Sequence, residues 1–367
     1  MRRLAAAMAA FLLAHAPAPA LAGAGDGARK CPTPMAVQTD MRQRLWRQVD
    51  AQMAKLPPHP DLAGAGTAIT GALKPTTGEC APPLGGINVS LAPIGDFVAA
   101  RAALDIPCGQ DQSAALYHWD GRAWRPFWRG DHSANPRRLH AILTAPTGAP
   151  APLVMTVAHG EWCSSNWHPV QYKVWLAGPG QPQHLLLEGT EFAFLGEVDG
   201  PLAGRLDAQS ATVEFRTASL DIAIHSRLAL RHFRFDGDIS RRADPIALTP
   251  VNFVEEWLSS PWSLSAGWTE RHGRAEAWRW HDGTRSRPGS EAVSGEFAGN
   301  ALRCRADRSL WQVAVDFTDL PAGPRRFHFL VRWNDPYRFR MVAVAARPWR
   351  NCTEDDDPDG RERRLLW

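Results

Sequence analysis

The chain has 367 residues, of which 22% are charged and 44% hydrophobic, with a formal net charge of +3. A chain of that length can form a core of its own, and a near-neutral balance makes it a poor polyanion binder. Arginine pairs at Arg137-Arg138, Arg241-Arg242 and Arg325-Arg326 do not extend into a basic stripe. They read as strand ends or turns, and no nucleic-acid partner is expected.

At the start, Arg2 and Arg3 precede an apolar run from Leu4 to Ala14, broken at Pro17 and Pro19 and closed by Ala20-Leu21-Ala22. A cationic end, an apolar centre and a small-x-small site predict a signal peptide over residues 1–22. The run is shorter than the roughly 20 residues a spanning helix needs, and no later stretch reaches that length, so no membrane span is expected. Gly23, and no cysteine, stands directly after the cleavage site, so no lipid attachment is expected there. The mature chain would begin near Gly23 with a charge of about +1, since the leader removes two arginines and no acid. Arginine outnumbers lysine and alanine is abundant, which points to a GC-rich bacterial source and a periplasmic or secreted protein.

All six cysteines follow the leader, and an even count in an oxidising compartment predicts disulfides. Order along the chain favours Cys80 with Cys108 and Cys304 with Cys352, leaving Cys31 and Cys163 for a longer staple. None forms C-x-x-C, which argues against thiol-redox catalysis and a thiolate zinc site.

Met41, Leu45, Val49 and Met53 recur every four residues and predict a helix from near Thr39-Asp40 that ends before Pro57-Pro58. From Pro57 to Pro93 the chain is rich in Pro, Gly, Ala and Thr, so residues 23–93 read as a helix followed by an extended connection or long loop held at Cys80. Over 94–245 the pattern changes to β-branched and aromatic runs between turn residues. Ala114 to Trp119, Asp120-Gly121 and Arg122 to Trp128 read as a hairpin with a two-residue turn, because Asp-Gly tolerates positive φ. That register sets 119 against 122 and 117 against 124, and brings Tyr117, Trp119, Trp124 and Trp128 onto one face.

Further strands are predicted at Arg138–Thr144, Leu153–His159, Val170–Leu176, His184–Glu188, Ala211–Thr217 and Arg227–Phe235. Thr249 as N-cap and Pro250 at the first helical position then open a central helix through Phe253, Val254, Trp257 and Leu258. More strands follow at Glu276–Trp280, with Asp282-Gly283 as a hairpin turn, and at Trp311–Phe317, Arg326–Trp333 and Arg338–Ala345. The tail after Cys352 is charged and reads as frayed. A boundary near Ala243–Thr249 would make 246–367 either a separate domain or the completion of one core. The fold class is therefore mainly β, an antiparallel sandwich or irregular β architecture with a short N-terminal helix and one central helix. Strand-turn-strand units also fit a propeller, but no fixed period recurs.

Chemistry-bearing residues are sparse. His159, Glu161, Cys163 and His168 fall within one predicted inter-strand loop, but their spacing matches no zinc pattern, and an oxidised Cys163 would not ligate. Asp355, Asp357, Asp359 and Gly360 open like a calcium loop, yet Leu366 stands where the bidentate Glu should be and Pro358 stiffens the turn. Glu255-Glu256 lie on the central helix about 100° apart and read as surface acids. Gly64-Ala65-Gly66 lacks the rest of a dinucleotide fingerprint, and no nucleophile elbow, zincin or phosphate-loop motif is present. No metal, cofactor or catalytic residue is assigned.

Tryptophan is the compositional oddity, at 16 against three tyrosines. An exposed face of Tyr117, Trp119, Trp124 and Trp128 would suit carbohydrate or peptidoglycan fragments; the same rings turned inward would be core. The leading functional expectation is a non-enzymatic envelope or secreted protein that binds a ligand, with a carbohydrate or an envelope protein as its partner. One alternative is a secreted hydrolase of carbohydrate or cell-wall polymer, with Glu161 as the acid and His159 or His168 assisting. The other is a structural or assembly component.

Overall fold

A computed structural model of the protein describes residues 34–73, 86–106, 109–130, 137–146, 151–160, 165–195, 202–220, 226–243, 247–285, 295–317, 325–334 and 338–355. The architecture is mainly β, and its strands pair antiparallel. Three four-stranded sheets follow one another along the chain. The first is β1 (Ile87–Ile94), β2 (Phe97–Ile106), β3 (Gly109–Trp119) and β4 (Trp124–Arg129). The second is β5 (Arg137–Ala145), β6 (Leu153–Gly160), β7 (Trp167–Leu176) and β8 (His184–Phe194). The third is β9 (Ala203–Asp207), β10 (Ser210–Ala218), β11 (Ser226–Asp236) and β12 (Ile239–Arg242).

Period-two alternation sorts their side chains between faces. In the first sheet Val98, Ala100, Ala102, Ala115 and Tyr117 pack under two helices, α1 (Pro34–Met53) and α2 (Leu62–Ala72). Their neighbours Ala99, Ala114 and Leu116, with Trp128, pack against the second sheet. That second sheet is covered on both sides, so β6 reads as a nearly unbroken apolar run. Val154 and Ala158 of β6 meet the first sheet, while Met155 and Val157 meet the third. Truncating a core residue such as Met155 to Ala would cost about 2–5 kcal/mol. Contact with the third sheet is close enough to require a glycine: a Cβ on Gly204 in β9 would lie 2.9 Å from Val157 Cγ2. Likewise the Tyr172 ring in β7 lies across Gly189 of β8, where a Cβ would fall 2.1 Å from the ring.

The fourth sheet combines β13 (Gly295–Phe297), β14 (Leu302–Cys304), β15 (Leu310–Phe317), β16 (Arg325–Asn334), β17 (Arg338–Ala345) and β18 (Cys352–Asp355). It packs on α3 (Pro250–Ser259), α4 (Trp262–Ser265) and α5 (Arg274–Arg285) through Phe253, Trp257, Ala277, Trp311 and Phe329. Cys304 and Cys352 face each other on β14 and β18 and are joined as a disulfide, the pairing expected from chain order. Cys31, Cys80, Cys108 and Cys163 lie outside the described residues, as do the leader, Glu161, Asp357, Asp359 and Gly360. The three arginine pairs sit at strand ends, opening β5 and β16 and closing β12.

Four local expectations change. The first helix begins at Pro34, several residues before Thr39. The stretch after it contains α2, capped by the Asp61 carboxylate accepting from Gly64 N–H, and then β1; its Ala and Ile content supports a helix once Ala65, Gly66 and Ile69 have a surface to cover. Residues 276–283 are helical, not a hairpin. The Trp-Arg-Trp alternation mimics a strand, but buried Ala277 and His281 follow the i, i+4 spacing of a helix face. Finally, Trp119 pairs with Trp124, so the β3–β4 loop has four residues instead of two. Asp120 Oδ1 accepts from the N–H groups of Arg122 and Ala123, both at 2.8 Å, which closes the longer loop.

Candidate functional site

That register change, with an irregularity beside Tyr117, redistributes the aromatic face. Tyr117 and Trp124 are buried beneath α1 and α2, with Trp119 partly buried against the same core. Trp128 points to the opposite face and packs on Trp175 of β7, ring centroids 5.2 Å apart. Trp124 donates its indole N–H to the Pro57 carbonyl at 2.9 Å. The four rings thus divide between two cores rather than sharing one exposed surface.

What lies above Tyr117 is more informative. Along α1, the residues that follow the apolar row, Arg42, Trp46 and Asp50, form a second row with the same spacing of four. Four helical residues advance about 6 Å and two strand residues about 6.6 Å, so this row can read alternate positions of β3. Arg42 forms a two-pronged pair with Asp111, at 2.5 and 2.7 Å, with both side chains buried. Trp46 donates its indole N–H to Ser113 Oγ at 2.9 Å. The longer Tyr117 side chain donates its hydroxyl to Asp50 Oδ1 at 2.6 Å. Burial pushes that hydroxyl's pKa well up, reinforced by the hydrogen bond to Asp50.

Asp50 Oδ2 also receives Arg129 Nη2 from the end of β4 at 2.5 Å, and the Arg129 guanidinium stands over the Trp46 ring, 5.2 Å from its centroid. Between these groups opens a cavity of about 310 Å³ lined by Thr39, Arg42, Gln43, Trp46, Arg47, Asp50 and Arg129. Its floor is fixed by the paired residues. Among the described residues, Gln43 and Arg47 make no hydrogen bond or ion pair with the protein, and both are exposed. This is the candidate binding site. Its sequence signal was present, as hydrogen-bonding side chains at 42, 46 and 50 beside an apolar row, but only pairing with Asp111, Ser113 and Tyr117 gives that row a meaning.

A second charged cluster lies where α3 meets the second and third sheets. Glu255 and Glu256 are buried, not surface acids, because α3 is covered on nearly every side: its apolar row enters the fourth-sheet core, while the acids turn to the arginines of β11 and β12. Glu256 accepts from Arg231 Nη1 at 2.9 Å, from Arg227 Nη2 at 3.0 Å and from Arg242 Nη2. Arg231 also clamps Glu191 of β8 at 2.8 and 3.3 Å. Glu255 accepts from Ser219 Oγ and the Leu220 N–H, both at 2.7 Å. Burial alone would raise the Glu256 pKa, but Arg231, Arg227 and Arg242 outweigh it and hold the carboxyl at about 2. Held this way, the Glu256 carboxylate carries no proton to give near neutrality. The cluster is a clasp, not an acid-base pair.

His159 of β6 and His168 of β7 are neighbours, ring centroids 5.0 Å apart, and His140 of β5 joins them. His140 Nε2 lies 2.5 Å from His159 Nδ1, and His168 Nδ1 donates to the Gly160 carbonyl at 2.8 Å. Burial, then the neighbouring His140, His168 and Arg138, lower the His159 pKa to about 3, which keeps the ring neutral. Among the described residues no group of three ligating side chains can hold a metal ion. None of the described helices is long and apolar enough to cross a membrane. Neither a protein-family profile nor a curated protein sequence matches the chain.

Proposed function

We propose that the protein is an exported, disulfide-bonded binding protein of the bacterial cell envelope, non-enzymatic, which holds a small ligand in the cleft between α1 and β4. The leader-like residues 1–22 and the even cysteine count support export to the periplasm or beyond. The observation that carries the binding reading is the cleft itself. A cavity of about 310 Å³ is open beside a floor of paired side chains, and its rim carries Gln43 and Arg47, whose hydrogen-bonding capacity is unspent among the described residues. The hydrolase alternative rests on Glu161, which lies outside the described residues; Glu255 and Glu256 offer it no substitute, because arginines, a serine and a backbone N–H occupy their oxygens.

A thermal-shift screen of the oxidised protein beginning at Gly23 tests this reading, against neutral sugars, sugar acids, amino acids and peptidoglycan fragments. A ligand specific to the native state raises the melting temperature. At least one compound should do so in the wild type and fail to do so in the double variant Gln43→Ala/Arg47→Ala. If every compound that shifts the wild type shifts the double variant equally, the cleft is not the binding site.

A further inference from the structure

We infer that the cleft selects a small organic carboxylate carrying a single negative charge, an inference that rests on the binding reading above. The lining contains the guanidiniums of Arg42, Arg47 and Arg129 and one carboxylate, Asp50. Asp111, behind the lining, neutralises Arg42 through both prongs of its pair, and Asp50 offsets Arg129. One positive charge remains, that of Arg47 at the exposed rim.

Donor capacity points the same way. Arg129 gives one N–H to Asp50 and holds its plane over Trp46, so the rest of its fork stays available in a fixed orientation. Arg47 has its whole fork to give. Planar, two-oxygen acceptors are what such forks match best. Acceptors, by contrast, are scarce. Asp50 already takes Tyr117 and Arg129 on its two oxygens, so a cationic ligand would meet an occupied carboxylate and an unopposed guanidinium. A dianionic phosphate would leave the cleft with an uncompensated negative charge in a partly desolvated pocket; a monoanion leaves it neutral. The Gln43 amide, one helical turn before Arg47, offers a donor and an acceptor for a hydroxyl or amide on the ligand body. The volume lies at the small end of ligand sites, the scale of one sugar acid.

Isothermal titration with matched pairs tests the inference: galacturonate against galactose, glucuronate against glucose, and N-acetylmuramate against N-acetylglucosamine, with inorganic phosphate as a further arm. At least one acid should bind while its neutral counterpart does not, and binding should weaken with added salt. Arg47→Ala should reduce the affinity for that acid about tenfold or more, and Arg47→Lys should lose less, keeping charge without the fork. Equal binding of an acid and its neutral partner, both lost in Gln43→Ala/Arg47→Ala, would overturn the carboxylate inference and leave the binding cleft standing. Binding of phosphate alone would overturn it in favour of a phosphorylated ligand. Acid binding that Arg47→Ala does not alter would overturn the placement of the carboxylate at this rim. If no acid of the three binds, the inference is overturned, and the broader screen then decides on the cleft.

Discussion

The arginine–glutamate cluster beneath α3 and the arginine-lined cleft beside α1 are made from the same kinds of side chain and serve opposite ends. In the cluster, Arg227, Arg231 and Arg242 converge on Glu256, and Glu191 and Glu255 absorb much of what remains. All lie within walls formed by α3 and the second and third sheets. In the cleft, Arg42 and Arg129 are also paired, but the pairing stops at the floor and Arg47 is left facing solvent. Saturation is the distinction. A charge network that satisfies itself joins elements of the fold, whereas one left a single cation over, next to a cavity, is available to something that is not part of the chain.

The largest test of the contrast falls on the cluster. Glu256→Gln removes the charge on which buried Arg227 and Arg231 and partly buried Arg242 converge, and breaking a buried pair from one side typically costs about 3–5 kcal/mol. Urea denaturation should show a loss of that size, with ligand response at the cleft unchanged where the variant remains folded. A loss below about 1 kcal/mol would mean that the arginines relax to solvent and that the cluster is not the clasp described.

Acidification separates another pair of regions. His159 is held neutral with a pKa of about 3, against 6.5 for an ordinary histidine. The unfolded chain therefore binds the proton that the folded ring refuses, and stability falls as pH drops from 6.5 toward 3. At pH 5 the loss relative to pH 7.5 amounts to about 2 kcal/mol from this ring. Glu256 acts in a lower window: its folded pKa of about 2 lies below the ordinary 4.5, so its contribution is complete above 4.5 and is lost toward pH 2. Burial also lowers His232 and His328, which adds loss of the same sign. The measurement is thus a difference: His159→Asn should flatten the melting-temperature profile between pH 7.5 and 5 and leave the fall below pH 4.5 in place.

Much of the fold was legible because one face or both faces of the long strands were apolar, whereas the short β9 and β12 have no buried face. The runs at 153–159, 211–217, 311–317 and 326–333 lie within observed strands, and the Thr249-Pro250 start of α3 is confirmed by the Thr249 hydroxyl accepting from Asn252 N–H at 3.1 Å. The misreadings share a cause. Trp278 and Trp280 alternate like a strand, but one is exposed and the other partly buried, so periodicity measured on aromatic residues alone misled. α2 is rich in glycine and threonine and is stabilised by the first sheet, which local propensity cannot see. The candidate cleft depended on a partnership across about seventy positions, Arg42 with Asp111 and Asp50 with Tyr117. Glu255 and Glu256 looked like surface acids because their arginines come from two other strands.

A smaller effect is expected at the floor of the cleft. Asp50→Asn keeps an oxygen for the Tyr117 hydroxyl but removes the charge that holds Arg129, both partners being partly exposed. The stability cost should be about 1 kcal/mol. Loss of the Arg129 anchor should also free that guanidinium from its position over Trp46, which indole quenching or side-chain NMR can follow. If the cleft binds an acid, Asn at this position raises the net positive charge and loosens the fork together, so affinity and its salt dependence should move in opposite directions. An unchanged Arg129 position would show that stacking on Trp46, and not Asp50, sets the floor.

The smallest stability effect, and the sharpest contrast, belongs to Arg47. It is exposed and spends no hydrogen bond on the described residues around it, so Arg47→Ala should change unfolding stability by no more than about 0.5 kcal/mol, the range of ordinary surface substitutions. Placed beside Glu256→Gln, this separates the two regions cleanly: a charge that belongs to the fold is costly to remove without any ligand, and a charge kept for a ligand is costly only when one is bound. Urea curves for wild type and Arg47→Ala should overlay in buffer and diverge in a saturating sugar acid, with the wild type alone shifted to higher denaturant. A loss of 2 kcal/mol or more in buffer would instead place Arg47 among the residues that hold α1 to the first sheet, and the cleft would then be as self-satisfied as the cluster.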